Sequence, residues 1–237
     1  MHQIPWLNHE LWFPPLEQAL EEPAGLLAAG GDLSPERLLH AYQHGIFPWY
    51  EGEQPILWWS PSPRTLIYPD KIHISRSLKK TLRQQRYHVS CNQDFAAVIQ
   101  ICADKRAEGT WITEEMIQAY MQLHQLGHAH SIEVWACDAD NKTLIGGLYG
   151  VSIGRIFFGE SMFSLRRDTS KIALCYLAKQ LSLWDFVAID GQMNSAHLSS
   201  LGAEEVSMFE WKKLLQATNS PAPNWNNALK EDFCFSP

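Results

Sequence analysis

Residues 131–192 read SIEVWACDADNKTLIGGLYGVSIGRIFFGESMFSLRRDTSKIALCYLAKQLSLWDFVAIDGQ, and this stretch decides the fold. Ser131–Cys137 alternates polar and apolar side chains, a period of two that predicts a strand. Asp138-Ala139-Asp140-Asn141 is turn chemistry. Leu144–Ser152 predicts a second strand, carrying Gly146, Gly147 and Gly150, and Arg155–Gly159 a third. Ser170–Leu183 switches to a helical period, with Ile172, Leu174, Leu177 and Leu181 at core spacing. Phe186–Asp190 predicts a short buried strand. Strand, strand, strand, helix, strand predicts an α/β (α+β) chain built on a mixed sheet with helices on its faces.

Upstream, residues 66–130 read mostly as helices. Ser75 is placed to cap a helix running through Arg86. Asn92 is placed to cap another with Phe95, Val98, Ile99 and Cys102 inward, and Thr113 a third that ends at Gly127. Residues 1–65 differ in kind. They hold five of the ten tryptophans and nine of the thirteen prolines, and proline restricts helices and interior strands. One helix is expected there, opened by Ser34-Pro35, turning Leu38, Leu39 and Tyr42 inward and closed by Gly45. The expected organisation is a small loop-rich N-terminal domain, 1–65, followed by a mixed-sheet domain, 66–237, with a late helix at Met208–Gln216.

The chain has 237 residues, 46% hydrophobic and 19% charged, which excludes a disordered or collagen-like protein. No run approaches the roughly 18 apolar residues of a membrane span. The first residues lack a basic segment followed by an apolar run, so no secretory signal is expected. Cys91, Cys102, Cys137, Cys175 and Cys234 are scattered, without a CxxC pair. Reduced, mostly buried thiols in a cytoplasmic protein are expected, not a zinc site or a disulfide framework.

The net charge of −7 argues against a uniformly basic, nucleic-acid-coating protein. The charge is uneven, however. Between Asp70 and Asp94 there is no acid, while Lys71, Arg76, Lys79, Lys80, Arg83 and Arg86 contribute +6, leaving −13 for the remainder. Positions 76, 79, 80 and 83 share one helix face. Such a stripe is ordinarily a solvated surface. On an acidic protein it would also draw a polyanion to one place and repel it elsewhere, as suits an RNA end.

Gly159-Glu160-Ser161-Met162-Phe163-Ser164 follows the third predicted strand, and Ile189-Asp190-Gly191-Gln192 ends the fourth. If both strands lie in one sheet, Glu160, Asp190 and Gln192 converge at its edge. Two carboxylates and an amide can bind a cation, accept a proton and orient an amine; they can equally satisfy turn backbone. The glycines of 146–150 suit close strand packing or the approach of a ligand to backbone. His128 and His130 have no further ligands at metal-site spacing. Ser161 and Ser164 have no nucleophile-elbow context, and neither a P-loop nor a dinucleotide fingerprint is present.

Longer words carry a resemblance: Gly25–Ser34 (GLLAAGGDLS), Gly45–Trp49 (GIFPW), Leu57–Pro61 (LWWSP), Gly109–Thr113 (GTWIT) and His128–Glu133 (HAHSIE). With Gly159–Ser164 and Ile189–Gln192, in order from about residue 13 to 216, the chain resembles the bacterial leucyl/phenylalanyl-tRNA–protein transferases. The resemblance implies a small N-terminal domain followed by a GNAT-like domain, with no metal or redox cofactor. It implies transfer of Leu, Phe and, less readily, Met from aminoacyl-tRNA to an N-terminal Arg or Lys of an acceptor protein, marking it for N-degron degradation, by a cytoplasmic monomer.

By the same resemblance Asp190 and Gln192 position and activate the acceptor amine, Asp190 leading because an amide is a poor base. Glu160 binds the acceptor's cationic residue or shares the proton relay. Trp49 and Trp111 stack the 3′ adenosine, each worth ~1–3 kcal/mol. Leu148, Phe157, Met162, Leu174, Leu177 and Ile189 form the side-chain pocket, with Leu148 and Leu177 standing where Met and Phe are expected in the best-known members. Arg76, Lys79, Lys80, Arg83 and Arg86 are the candidate tRNA contacts. Three rivals remain: a transferase acting on a peptidoglycan precursor, a non-catalytic tRNA-binding module, and a CoA-dependent acetyltransferase. The last is disfavoured by Ser164–Ser170, which lacks the glycines of a pyrophosphate turn.

Overall fold

The computed structural model describes residues 4–104, 111–138 and 141–229. Gly109, Thr110, Ala139, Asp140, Cys234 and the first three residues lie outside that set. In chain order the elements are β1 (Trp6–Leu7), β2 (Leu26–Gly30), α1 (Pro35–Gln43), β3 (Phe47–Pro48), β4 (Leu57–Trp59), β5 (Arg64–Ile67), α2 (Arg76–Arg83), β6 (Tyr87–Cys91), α3 (Phe95–Asp104), α4 (Glu114–Gln125), β7 (Ala129–Asp138), β8 (Asn141–Ile153), β9 (Ile156–Ser164), α5 (Thr169–Leu183), β10 (Ala188–Gln192), α6 (Ala196–Ser199), β11 (Glu204–Val206) and α7 (Met208–Leu214).

Four short strands form one sheet, ordered β1-β2-β4-β3. The second sheet has seven strands, ordered β11-β5-β10-β9-β8-β7-β6. All its neighbours are antiparallel except β9 and β10, which run parallel. The mixed α/β sheet expected from residues 131–192 is therefore its centre. Strand β5, spanning residue 65, pairs with both β10 and β11.

Alternation along the central strands gives the large sheet two cores. Leu148, Phe157 and Ile189 face a cluster built around α5 and α2. Their neighbours Tyr149, Phe158 and Ala188 face the opposite cluster, shared with α1, α3, α4, α7 and the small sheet. The helix ends follow their chemistry. Ser34 Oγ accepts from the Arg37 amide, with Pro35 in the first turn, and Thr113 Oγ1 accepts from the Met116 amide. Gly45 follows α1 at φ +74, where a Cβ would collide with Trp211.

Several local expectations are corrected. The helix opened by Ser75 stops at Arg83, and Arg86 leads into the unforeseen strand β6. Asn92 does not cap α3. It sits at φ +58, and its Oδ1 accepts from the Ser131 amide at 3.0 Å, tying β6 to β7. Asp94 Oδ1 instead takes the Ala97 amide at 3.1 Å. The glycines of β8 serve packing: a Cβ at Gly146 would lie 2.4 Å from Thr169, and one at Gly150 would lie 2.2 Å from the Phe158 carbonyl. Cys102 and Cys175 are buried, Cys91 partly so, and Cys137 is exposed.

Candidate active site

Strands β9 and β10 pair only as far as Phe158 and Asp190. Beyond that point they part, β9 continuing along β8 and Gln192 pairing with Thr65 of β5. Both strands are irregular at the parting. Tyr149 opposes Ser161 while Gly150 opposes Gly159, so Glu160 is the extra residue of a bulge. Asp190 opposes Leu66 while Gln192 opposes Thr65, so Gly191 is extra in β10. A bulge re-aims the side chain beside it and strengthens the local twist. Two bulges on adjacent strands open a cleft of about 780 Å³ in the middle of the sheet. The convergence expected at an edge is thus at the centre, and Gly159–Ser164 lies within its strand rather than after it.

Asp190 is fully buried. Its Oδ1 accepts from Arg64 Nε at 2.7 Å and its Oδ2 from Arg64 Nη2 at 2.5 Å. Oδ1 also accepts the Gln192 amide at 2.9 Å. Arg64 is itself buried, its guanidinium between the rings of Phe47 and Trp211 at 5.0 and 4.9 Å. Gln192 stands at φ +57, and its Nε2 donates to the Gly159 carbonyl at 2.9 Å, bridging the gap between the strands. This bond uses the amide nitrogen and leaves Oε1, the more basic end, outside it.

Glu160 is partly buried between two tyrosines from different helices. Tyr42 of α1 lies 2.7 Å from Oε1, Tyr120 of α4 lies 3.0 Å from Oε2, and the two hydroxyls also meet each other; their two protons serve two of these three contacts, and the third is a hydrogen bond only when Glu160 itself carries a proton. Loss of water pushes the Glu160 carboxyl up to about 7. The tyrosine hydrogen bonds and Arg64 oppose that rise, and the charge of Asp190 adds to it. A carboxyl poised there changes charge at neutral pH.

The cleft lining unites Trp49, Trp111, Leu148, Phe157, Glu160 and Met162 with Leu174, Leu177, Ile189, Asp190 and Gln192. Sheet register explains the apolar part. Leu148 opposes Met162, Phe157 lies beside Ile189, and Leu174 and Leu177 are one turn apart on α5. Trp49, half-buried beyond β3, meets Trp59 edge-on at 5.4 Å. Trp111 is nearly buried.

Arg76, Lys79, Lys80, Arg83 and Arg86 are exposed and outside the lining. Leu78 and Leu82 anchor the other side of α2, leaving 76, 79, 80 and 83 on its open face. Among the described residues, no group of three or more His, Cys, Asp or Glu is placed to hold a metal. No described helix is long and apolar enough to cross a membrane.

Sequence reading missed Arg64, Tyr42 and Tyr120. Arg64 is isolated in SPRT, and Tyr42 fits the apolar face of its helix, so neither carries a local polar signal. The turn before α5 is no anion cradle: the Ser170 amide is taken by Ser164 Oγ at 2.9 Å, and Asp168 stands at the N-cap.

Parallel strands parted by bulges, with apolar side chains and the two carboxylates Glu160 and Asp190 lining the gap, give a mixed α/β sheet with a built cleft at its centre. The sequence model of the leucyl/phenylalanyl-tRNA protein transferase family matches residues 66–216, and that of its N-terminal domain matches residues 31–62. The leucyl/phenylalanyl-tRNA–protein transferase of Pseudomonas fluorescens SBW25 is 57% identical over 216 residues, covering 90% of this chain and 94% of that protein. The one from Aromatoleum aromaticum EbN1 is 59% identical over 205 residues, covering 86% and 85%. The chain belongs to this family and is an aminoacyltransferase. Among solved structures, FemX aligns with a TM-score of 0.44 at 10% identity, over 78% of this chain and 65% of that one.

Proposed function

We propose that the protein transfers Leu, Phe and, less readily, Met from aminoacyl-tRNA to the N-terminal Arg or Lys of acceptor proteins. It acts as a cytoplasmic monomer and marks its acceptors for N-degron degradation. One observation carries the reading: the eleven residues assigned to amine, adenosine and side chain all line a single cleft. Of these eleven, Trp49 comes from residues 1–65, which also bring Phe47 and Pro48 to the cleft, and the other ten come from residues 66–237.

In this reading the acceptor α-amine attacks the ester carbonyl. The new N–C bond forms as the C–O bond to the terminal ribose breaks, and the amine proton passes to the departing ribose oxygen. Gln192 Oε1 accepts a hydrogen bond from the amine. Asp190 leads through its charge, which Arg64 fixes in place and which favours the developing ammonium. Its bond to the Gln192 amide sets the orienting residue. Glu160 supplies negative charge for the acceptor's cationic end. Trp49 and Trp111 hold the adenine, and α2 meets the phosphate backbone.

The test mixes labelled Leu-tRNA, Phe-tRNA or Ile-tRNA with an Arg-terminal peptide. Transfer from the first two is expected, because branching at the Cβ of Ile clashes at the pocket mouth. Comparable transfer from Ile-tRNA, or none from any, overturns the reading.

A further inference from the structure

Phe157 is the one ring among the six side chains assigned to the apolar end of the cleft, and it is held from two sides. On one face, a Cβ added at Gly150 would lie 2.6 Å from Cε1 and 2.8 Å from Cζ, so the ring rests over the bare backbone of β8. Behind it stands Trp225, its ring centroid 5.8 Å away. Trp225 comes from the C-terminal segment, 33 residues after Gln192, yet it is almost fully buried in the α5 core.

The indole is held by ring contacts and a hydrogen bond. His130 stacks on it at 3.9 Å and 9°. Trp184 and Phe186 meet it edge-on at 5.2 and 6.4 Å. Its Nε1 donates to Ser152 Oγ at 3.2 Å, and Ser152 is the residue directly opposite Phe157 across β8 and β9. His130 is held in turn. Its Nε2 donates to the Gly127 carbonyl at 3.1 Å and its Nδ1 accepts from Asn92 Nδ2 at 3.0 Å. Burial takes its pKa down to about 3, so it stacks as a neutral ring. One turn further, the Leu229 amide donates to Gln180 of α5 at 2.9 Å, closing the segment onto the helix that carries Leu174 and Leu177.

We propose that Trp225 is a specificity-determining positioning residue: by bracing Phe157 from behind, the C-terminal segment sets the size of the apolar end of the cleft. The inference rests on reading that end as the site of the transferred Leu or Phe side chain. A close-packed wall keeps its position only while the layer behind it is full, and removing volume there lets the front ring withdraw. Withdrawal makes room for the larger side chain first.

The experiment uses the full chain with Trp225→Phe and Trp225→Leu, and reads kcat/KM for Leu-tRNA and for Phe-tRNA on an Arg-terminal peptide. The expected result is a shift of the Phe:Leu ratio toward Phe by about threefold or more, within what one methylene-sized change of pocket can yield, at unchanged KM for the peptide. The ratio cancels any loss of folded protein, so a merely stabilising role leaves it fixed; a fixed ratio in both variants overturns the proposal. Should Trp225→Leu not fold, Ser152→Ala removes only the indole's acceptor and is held to the same direction of shift. Phe157→Leu separates the two readings. If it moves the ratio and the Trp225 variants do not, the brace is wrong and the pocket stands. If it leaves the ratio unmoved, the pocket assignment fails and the brace falls with it.

Discussion

Arg64 grips Asp190 with two parallel hydrogen bonds, Nε to Oδ1 at 2.7 Å and Nη2 to Oδ2 at 2.5 Å, and neither side chain reaches solvent. Removing one partner of a buried pair strands the other charge, at a cost of about 3–5 kcal/mol. Asp190→Ala is therefore expected to lower the melting temperature sharply as well as turnover. Asp190→Asn keeps a hydrogen-bond acceptor for Arg64 and its volume. Its loss in kcat should exceed tenfold at a smaller loss of stability. Melting curves beside kcat and tRNA affinity check this; an Asn variant with wild-type kcat removes Asp190 from the mechanism.

Glu160 yields a prediction about pH. With its carboxyl raised to about 7, deprotonation should appear as a rising limb in kcat/KM near neutrality. The tyrosine hydrogen bonds favour the carboxylate, so Tyr42→Phe moves that limb to higher pH. An acceptor α-amine also titrates near 8, but its limb does not move with Tyr42. For stability the sign is opposite to that of an ordinary salt-bridged carboxylate. The folded form holds a proton that the unfolded chain releases in the usual range, so stability falls as pH rises toward 7. Glu160→Gln should abolish transfer at pH 8 while melting no lower than the wild type.

What the sequence shows and hides follows from range. The order of strands and helix from 131 to 192 is written in local periods, and Ser34, Thr113 and Gly45 mark helix ends by local chemistry. Strand β5 is four residues long and β6 five, too short for a period to stand out, and β6 follows a helix with only three residues between them. The bulges at Glu160 and Gly191 depend on how neighbouring strands pair, which no window of sequence contains. For the same reason Arg64 stayed hidden: its partner is 126 residues away. Trp49, Trp111, Glu160, Met162, Ile189, Asp190 and Gln192 of the cleft lining stand in the long shared words, whereas Leu148, Phe157, Leu174 and Leu177 lie outside them. The Tyr42 and Tyr120 hydroxyls on Glu160 were not legible, because a buried tyrosine on a helix looks like core.

The open face of α2 predicts a salt-dependent step. Arg76, Lys79, Lys80 and Arg83 share it, with no acid between Asp70 and Asp94 to offset them. Each phosphate left without its cationic partner should reduce the slope of log affinity against log salt by roughly one. Lys79→Ala with Lys80→Ala is expected to weaken tRNA binding several-fold at low salt and little at high salt, with kcat at saturating tRNA unchanged. Filter binding across a salt series checks it. An affinity flat with salt in the wild type excludes α2 from tRNA binding.

Leu148 and Leu177 allow opposite changes on one pocket. Both are buried and line the cleft, Leu177 from α5 and Leu148 from β8 opposite Met162. Leu148→Met conserves volume with a flexible side chain, so the Phe:Leu ratio should stay within about twofold. Leu177→Phe puts a ring into a position with no spare room. Overpacking there costs about 1–3 kcal/mol unless the space meant for the substrate is used. The larger substrate then loses most: Phe transfer should fall about tenfold or more relative to Leu transfer, the scale on which one methylene-sized change in a pocket discriminates. Competition between the two charged tRNAs in one reaction reads the ratio directly. An unchanged ratio in Leu177→Phe would place the transferred side chain elsewhere in the cleft, away from α5.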